Sequence, residues 1–110
     1  MQTANSAYLP AINQRNKLYS ECLIKVDELV IAEKCEEAIV RGLQTIIYCC
    51  TGTATLDNNI PELISQCSDL VTGFPVIDFS KSTSIEIAQQ IKGILIERTS
   101  FYKQLESLTH

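Results

Sequence analysis

Five cysteines are the side chains best suited to chemistry, and they stand at positions 22, 35, 49, 50 and 67. A metal site needs Cys or His pairs at short spacing, such as Cys-x-x-Cys, and the sequence has no such pair. A reactive thiolate needs a neighbouring base or cation, yet the single histidine is His110 at the C-terminus. The sequence therefore predicts no catalytic residue, no metal and no cofactor.

Most of these cysteines have a structural explanation instead. Four of them fall on apolar helical stripes, where cysteine packs as a small hydrophobic residue: Cys22, Cys35, Cys50 and Cys67. Cys49 lies beside a loop and is the one cysteine that could be exposed to solvent.

The acidic side chains are the second candidates for chemistry. No basic residue occurs between Arg41 and Lys81, whereas four acidic residues do: Asp57, Glu62, Asp69 and Asp78. This stretch of one sign could bind a basic partner by electrostatic complementarity, or it could be a solvated surface. Both interpretations are open at this point, and no feature supports a catalytic carboxylate pair.

Charge and hydropathy narrow the range of partners. The chain has 9 Lys+Arg against 13 Asp+Glu, and a net charge of −4 disfavours binding to nucleic-acid phosphates. The longest uncharged stretch, 42–56, is too short and too polar to span a bilayer. A secretory signal has basic residues followed by an apolar run, and the sequence has no such start. The odd number of cysteines fits a reducing compartment. We therefore expect a cytoplasmic protein with no membrane insertion and no nucleic-acid partner.

Apolar residues recur at helical spacing through most of the chain and predict helices near 10–32, 34–51, 60–73 and 83–108. Pro10 and Pro61 suit the first turn of a helix, and Thr83 with Glu86 has the form of a capping box. The break near 32–34 has no glycine or proline to mark it. It is inferred because one helix from 11 to 50 would be about 60 Å long.

These elements predict an all-α protein, a compact bundle of about four helices. We expect a flexible N-terminal arm at 1–9 and a single domain at 10–110. Six residues are predicted to form the centre of its core: Ile39, Leu43, Ile46, Ile91, Leu95 and Leu105.

Two small residues suggest where a partner could bind. Ala38 and Gly42 lie one turn apart on the second helix, where they would let another helix approach closely. The predicted partner-binding groove lies between the second and fourth helices, with Arg98 at its rim to grip a carboxylate. Its residues are Ala38, Gly42, Ile46, Ile91, Ile94, Arg98 and Tyr102. The alternative is that the first helix already fills this space and both small residues are structural.

The linker 74–79 holds two of the three phenylalanines in the chain. It could be a strap that buries these rings across one end of the bundle, or an exposed patch used for self-association or partner docking. The sequence does not separate the two.

Two segments resemble helical-hairpin modules. Cys35-Glu-Glu-Ala-Ile39 is similar to the aromatic-Glu-Glu-Ala-Leu start found in tetratricopeptide and MIT (microtubule-interacting and trafficking) domains, with Cys35 at the aromatic position. The segment 94–105 is similar to the last MIT helix. An extra segment separates the two matching parts, and no second 34-residue repeat of the tetratricopeptide type follows. The resemblance implies a groove that binds a short helical motif of a trafficking or assembly partner.

The sequence thus supports two functional hypotheses. The first is a non-enzymatic helical interaction module, an adaptor or assembly subunit, that binds a partner helix or its own copy. The second is a small enzyme, metal protein or redox protein that depends on cysteine or carboxylate groups. The absence of histidine from the helices favours the first.

Overall fold

The structure, a computed structural model, describes residues 11–108. These residues form a bundle of four helices: α1 (Ile12–Ile31), α2 (Cys35–Thr51), α3 (Ile60–Leu70) and α4 (Ser84–Leu108). The predicted fold class is therefore confirmed. The predicted arm at 1–9, Pro10 and His110 lie outside the described residues.

The turn between α1 and α2 lies at 32–34, where it was predicted. The N–H of Lys34 donates to the carbonyl of Leu29 at 2.8 Å, and the N–H of Glu33 donates to that of Val30 at 3.0 Å. This pair of bonds is a Schellman motif, which requires a left-handed residue after the helix end. Glu33 takes that conformation with φ of 62°. The boundary is hard to see in the sequence because a glutamate occupies the position that glycine usually fills.

Replacing Glu33 with glycine is expected to raise the free energy of unfolding by about 0.5–1 kcal/mol. The glycine removes the steric cost of a left-handed L-residue, partly offset by its greater freedom in the unfolded chain. Thermal denaturation of Glu33→Gly measures this gain in stability. The control is Ala32→Gly, because Ala32 has φ of −79° and no left-handed strain for glycine to relieve. Equal melting temperatures for Glu33→Gly and the parent chain would contradict it.

The α3 helix begins as predicted and ends earlier. The side chain of Asn59 accepts a hydrogen bond from the N–H of Glu62 at 3.0 Å, and Pro61 lies in the first turn. The predicted end was residue 73, but Val71 is already extended, with φ of −113° and ψ of 113°. Gly73 instead has φ of +79° in the turn that follows. The glycine thus shapes the linker and does not cap the helix.

The predicted capping box at the start of α4 is present. The N–H of Thr83 donates to the Glu86 carboxylate at 2.9 Å, and the N–H of Glu86 donates to the Thr83 hydroxyl at 3.3 Å. The first of these bonds, together with one from the Thr83 hydroxyl, lowers the pKa of Glu86 below its ordinary value. This cap is therefore intact at neutral pH and weakens as acid protonates the carboxylate.

Two residues of the acidic stretch also shape local turns. An oxygen of Asp57 accepts from the N–H of Asn59 at 2.9 Å, and the Asp57 carbonyl accepts from the Gln44 amide at 2.9 Å. Asp78 accepts from the hydroxyl of Ser80 at 2.6 Å, a bond that lowers the pKa of Asp78. Binding of a basic partner at this stretch stays a prediction.

The core lies where α1, α2 and α4 meet, and α3 packs mainly on α2. Helices α1 and α4 run antiparallel, since Tyr19 contacts Tyr102 while Asp27 contacts Lys92. Five of the six predicted core residues are fully buried: Ile39, Leu43, Ile46, Ile91 and Leu95. Leu105 is only partly buried, because it lies in the last turns of α4, where fewer helices surround it.

Candidate protein-interaction surface

The predicted groove between α2 and α4 is closed. Four of its residues, Ala38, Gly42, Ile46 and Ile91, are buried in the core. A Cβ atom added at Gly42 would clash with Cγ2 of Ile91 and lie 3.6 Å from Cδ1 of Leu95. The small residues therefore serve close packing inside the chain, and α4 occupies the space that we assigned to a partner. The helix that fills it is α4, whereas the alternative interpretation named the first helix.

Two further residues of the predicted groove lie at its other end. Ile94 and Arg98 line a depression of about 190 Å³ between α4 and the linker that contains Phe74. The Ile94 side chain is 8% exposed, so it is nearly covered. This depression is small, and it faces the linker and not α2.

Arg98 is engaged within the protein. Its Nε atom donates to the Tyr19 hydroxyl at 3.0 Å, and its Nη2 atom donates to the Tyr102 hydroxyl at 3.3 Å. The two tyrosine rings stack with centroids 5.6 Å apart and planes 14° apart. The Arg98 guanidinium also lies over both rings, and the Arg15 guanidinium lies 5.6 Å from the centroid of the Tyr102 ring, a third cation–π contact. This cluster joins α1 to α4, so Arg98 is not the free rim residue that the sequence suggested.

Replacing Arg98 with methionine is expected to lower the free energy of unfolding by about 1–3 kcal/mol, the range for losing hydrogen bonds of a charged donor. Urea denaturation measures the loss. The matched control is Lys25→Met, which removes only a 3.9 Å ion pair between exposed side chains and is expected to cost under about 0.5 kcal/mol. A loss for Arg98→Met no larger than for the control would show that the cluster does not stabilise the bundle.

Cys49, the one cysteine for which the sequence left exposure open, is buried. Its side chain is 1% exposed, because Cys49 points into the α1–α2 contact near Tyr19. Burial raises the pKa of the Cys49 thiol to about 11 and that of Cys67 to about 12. Cys22 is also buried, and burial raises the pKa of its thiol. Cys35 and Cys50 are half-buried, and all five cysteines are free thiols.

Thiol reagents should separate these two groups of cysteines. With a pKa of about 11, only about one Cys49 side chain in a thousand is a thiolate at pH 8. We expect Cys35 and Cys50 to react at least tenfold faster than Cys22, Cys49 and Cys67 in the folded protein. Denaturant should then make all five react alike. Fast reaction of Cys49 in the folded chain would contradict the structure.

The linker 74–79 divides between the two interpretations that the sequence left open. Phe74 and Ile77 pack partly against the core, as a strap would. Val76 is exposed and Phe79 is half-exposed, at 94% and 47%. The two phenylalanines therefore differ, and only the first belongs to the packed part of the protein.

Exposed isoleucines mark a surface that we call the outer face, formed by the solvent-facing sides of α1 and α4. Four isoleucines on these helices are exposed: Ile24 by 62%, Ile31 by 78%, Ile85 by 51% and Ile96 by 49%. Because Asp27 pairs with Lys92 in the antiparallel arrangement, Ile24 lies level with the turn of α4 that carries Ile96. The face includes Gln89, Gly93 and Ser100, which are also exposed and carry no charge.

An ion pair links the two helices beside this face. Nζ of Lys92 lies 2.6 Å from a carboxylate oxygen of Asp27, and both side chains are half-exposed. Each charge therefore has an opposite charge as its neighbour. The outer face thus offers isoleucine methyl groups, uncharged polar groups and this neutralised pair, with the exposed carboxylates of Glu28 and Glu97 beside them.

Sequence reasoning missed this surface because it looked for a partner site along the apolar stripes and did not consider the isoleucines that lie off them. Ile96 and Ile85 depart from the buried stripe of α4, which runs through Ile87, Ile91 and Leu95. A helical wheel centred on those three would have placed Ile96 on the opposite side, since it lies five residues from Ile91. This difference in position around the helix is the sign, available in the sequence, that Ile96 lies outside the core.

Other classes of site have no support among residues 11–108. Within this range no group of three or more His, Cys, Asp or Glu side chains is placed to hold a metal ion. None of the helices in the same range has the length and apolarity needed to cross a bilayer. No protein-family model matches the chain, and no curated protein or solved structure is significantly similar to it.

Proposed function

We infer that this protein is a non-enzymatic helical interaction module, an adaptor or assembly subunit of the cytoplasm, which binds protein through the outer face. The observation that carries the proposal is the exposure of four isoleucines on two adjacent helices. Burying a fully exposed isoleucine contributes about 1.5–3 kcal/mol, and these four still expose between 49% and 78% of their surface. A protein surface that covers them would recover this free energy.

The composition of the outer face fits a protein partner. The centres of protein interfaces are depleted in charged residues, and charges gather at the rim. Gln89, Gly93, Ile96 and Ser100 carry no charge, and Glu97 is the exposed charge among them, whereas Glu86 and Lys103 lie towards the two ends of α4. A helix or helix pair of the partner is the shape that lies flat on two antiparallel helices.

The free thiols support the cytoplasmic part of the proposal, since reduced cysteines persist in a reducing compartment. Burial and the raised pKa values of Cys22, Cys49 and Cys67 weigh against these three as catalytic thiols, because the reactive form of cysteine is the thiolate. The resemblance to MIT and tetratricopeptide modules stays a prediction. The proposal uses a different surface from the groove that this resemblance implies.

An affinity capture from native cell extract tests the proposal. The bait is the full chain, the variant is Ile24→Glu with Ile96→Glu, and the matched control is Leu56→Glu, at a residue that is 94% exposed outside the helices. We expect the parent chain and the control to retain the same proteins, including untagged copies of this chain, and the double variant to lose them. Circular dichroism establishes that all three baits are folded.

Retention of the same proteins by the folded double variant would overturn the proposal. An enzymatic role would appear instead as turnover in a screen of the parent chain that is lost on replacing a cysteine or carboxylate. That result would favour the second hypothesis.

A further inference from the structure

We propose that the outer face binds a second copy of this chain, with α4 lying antiparallel on α4 of the other copy across a two-fold axis. This inference rests on the proposed function, because it names the partner of the same surface. The axis crosses α4 midway between Ile94 and Leu95. Three features of the described chain favour an antiparallel pair about that point, and each is argued in turn.

The first feature is a glycine with no role inside the chain. Gly93 is exposed in the middle of a 25-residue helix, and a Cβ atom added there would meet nothing within 4 Å. Glycine weakens a helix interior, so a compensating contact is expected outside the chain. Gly93 and Ile96 are equally far from the axis on opposite sides. In the antiparallel pair, Ile96 of each copy therefore lies over Gly93 of the other, where the missing side chain leaves room.

The second feature is charge at the ends of α4. Glu86 and Lys103 are exposed and are also equally far from the axis on opposite sides. In the antiparallel pair each Glu86 therefore faces Lys103 of the other copy. Between them, Gln89 faces Ser100 of the other copy, so polar uncharged groups meet as well. At the shallow crossing of about 20° that is common in helix bundles, long side chains at these positions can meet.

The third feature is the charge at the two ends of the α1–α4 pair, counted with the turn and first residues of α2. One end, formed by residues 11–22 and 98–108, has four basic and two acidic side chains. The other end, formed by residues 23–37 and 84–97, has three basic and seven acidic side chains. A parallel pair would place the basic ends together and the acidic ends together, whereas the antiparallel pair places the basic end of each copy on the acidic end of the other. Charge thus selects the antiparallel arrangement, and Ile24 of α1 lies level with the axis to extend the apolar contact.

Sedimentation equilibrium of the full chain with and without Gly93→Leu tests the proposal. We expect the parent chain to be a dimer whose fraction falls on dilution. Leucine at Gly93 has free space in the single chain and suits a helix, so the variant should fold. In the dimer it should meet Ile96 of the other copy and weaken association at least tenfold. A monomeric parent chain, or an unchanged dissociation constant for a folded Gly93→Leu, would overturn the proposal.

A mixing experiment tests the antiparallel register. Lys103→Glu and Glu86→Lys should each associate at least tenfold more weakly than the parent chain, because like charges then face each other twice in every dimer. An equimolar mixture should recover association, since Glu86 of one variant faces Lys103 of the other and the two replaced residues also face each other. Glu86→Lys also removes the cap that Glu86 forms with Thr83. This loss is the same with and without mixing, so it cannot explain recovered association. No recovery on mixing would overturn the antiparallel pairing.

The two proposals fail in different ways. A monomeric parent chain that still captures other proteins through Ile24 and Ile96 would overturn self-association and leave the interaction module standing. If the double variant Ile24→Glu, Ile96→Glu still forms the dimer, the outer face is excluded as the binding surface in both proposals.

Discussion

Replacing Leu43 with alanine is expected to lower the free energy of unfolding by about 2–5 kcal/mol, the range for truncating a buried leucine. Leu43 is fully buried on α2, and its carbonyl accepts a weak hydrogen bond from Sγ of Cys67 at 3.6 Å. The cavity therefore opens where α3 packs on α2, with no solvent to fill it. Urea denaturation followed by circular dichroism measures the loss.

Leu56→Ala is the matched control for this change. The same atoms are removed from a side chain that is 94% exposed, so the loss should be below about 0.5 kcal/mol. A loss below about 1 kcal/mol for Leu43→Ala would show that α2 is rotated away from the orientation described above.

Replacing Gly42 with leucine is expected to lower the free energy of unfolding by about 3 kcal/mol or more, or to prevent folding altogether. Even the Cβ atom of the new residue clashes with Cγ2 of Ile91, and three further carbon atoms would have to enter the same helix contact. The smaller variant Gly42→Ala keeps the measurement within reach, since it adds only the Cβ atom. It should lower the free energy of unfolding by about 1–3 kcal/mol despite the better helix propensity of alanine.

Gly93→Ala is the matched control for Gly42→Ala, because the same change is made in open space on another helix. It should raise the free energy of unfolding by up to about 1 kcal/mol, the propensity difference between glycine and alanine. Chemical denaturation in dilute solution measures both. Equal effects of the two substitutions would mean that α2 and α4 do not pack closely at Gly42.

Local signals in the sequence predicted most of the helix boundaries. Pro61 and the Thr83–Glu86 capping box are signals within a few residues of a helix start, so they can be recognised without the fold. The end of α3 was predicted three residues too late, because Gly73 stands in the linker turn and the chain is already extended at Val71. The α1–α2 turn was placed by an argument about length, since Glu33 gives no turn signal.

The site was harder to predict, because it depends on contacts between distant residues. Ala38 and Gly42 indicate close approach of a helix, but the sequence does not say whether that helix belongs to the chain or to a partner. Arg98 meets Tyr19, which lies 79 residues earlier, and no local pattern links the two. Burial of Cys49 was not predicted for the same reason, since α1 covers this residue and the loop beside it gives no sign of that contact.

Methyl NMR of the full chain with isotope-labelled isoleucine tests most directly which surface binds. Spectra are compared across a dilution series, which converts dimer to monomer. We predict that the methyl signals of Ile24 and Ile96 shift with concentration, since these side chains lie on the outer face. The signals of Ile46 and Ile91, buried in the closed α2–α4 contact, should stay constant. Shifts of Ile46 and Ile91, with Ile24 and Ile96 unchanged, would contradict the account and restore the groove as the binding surface.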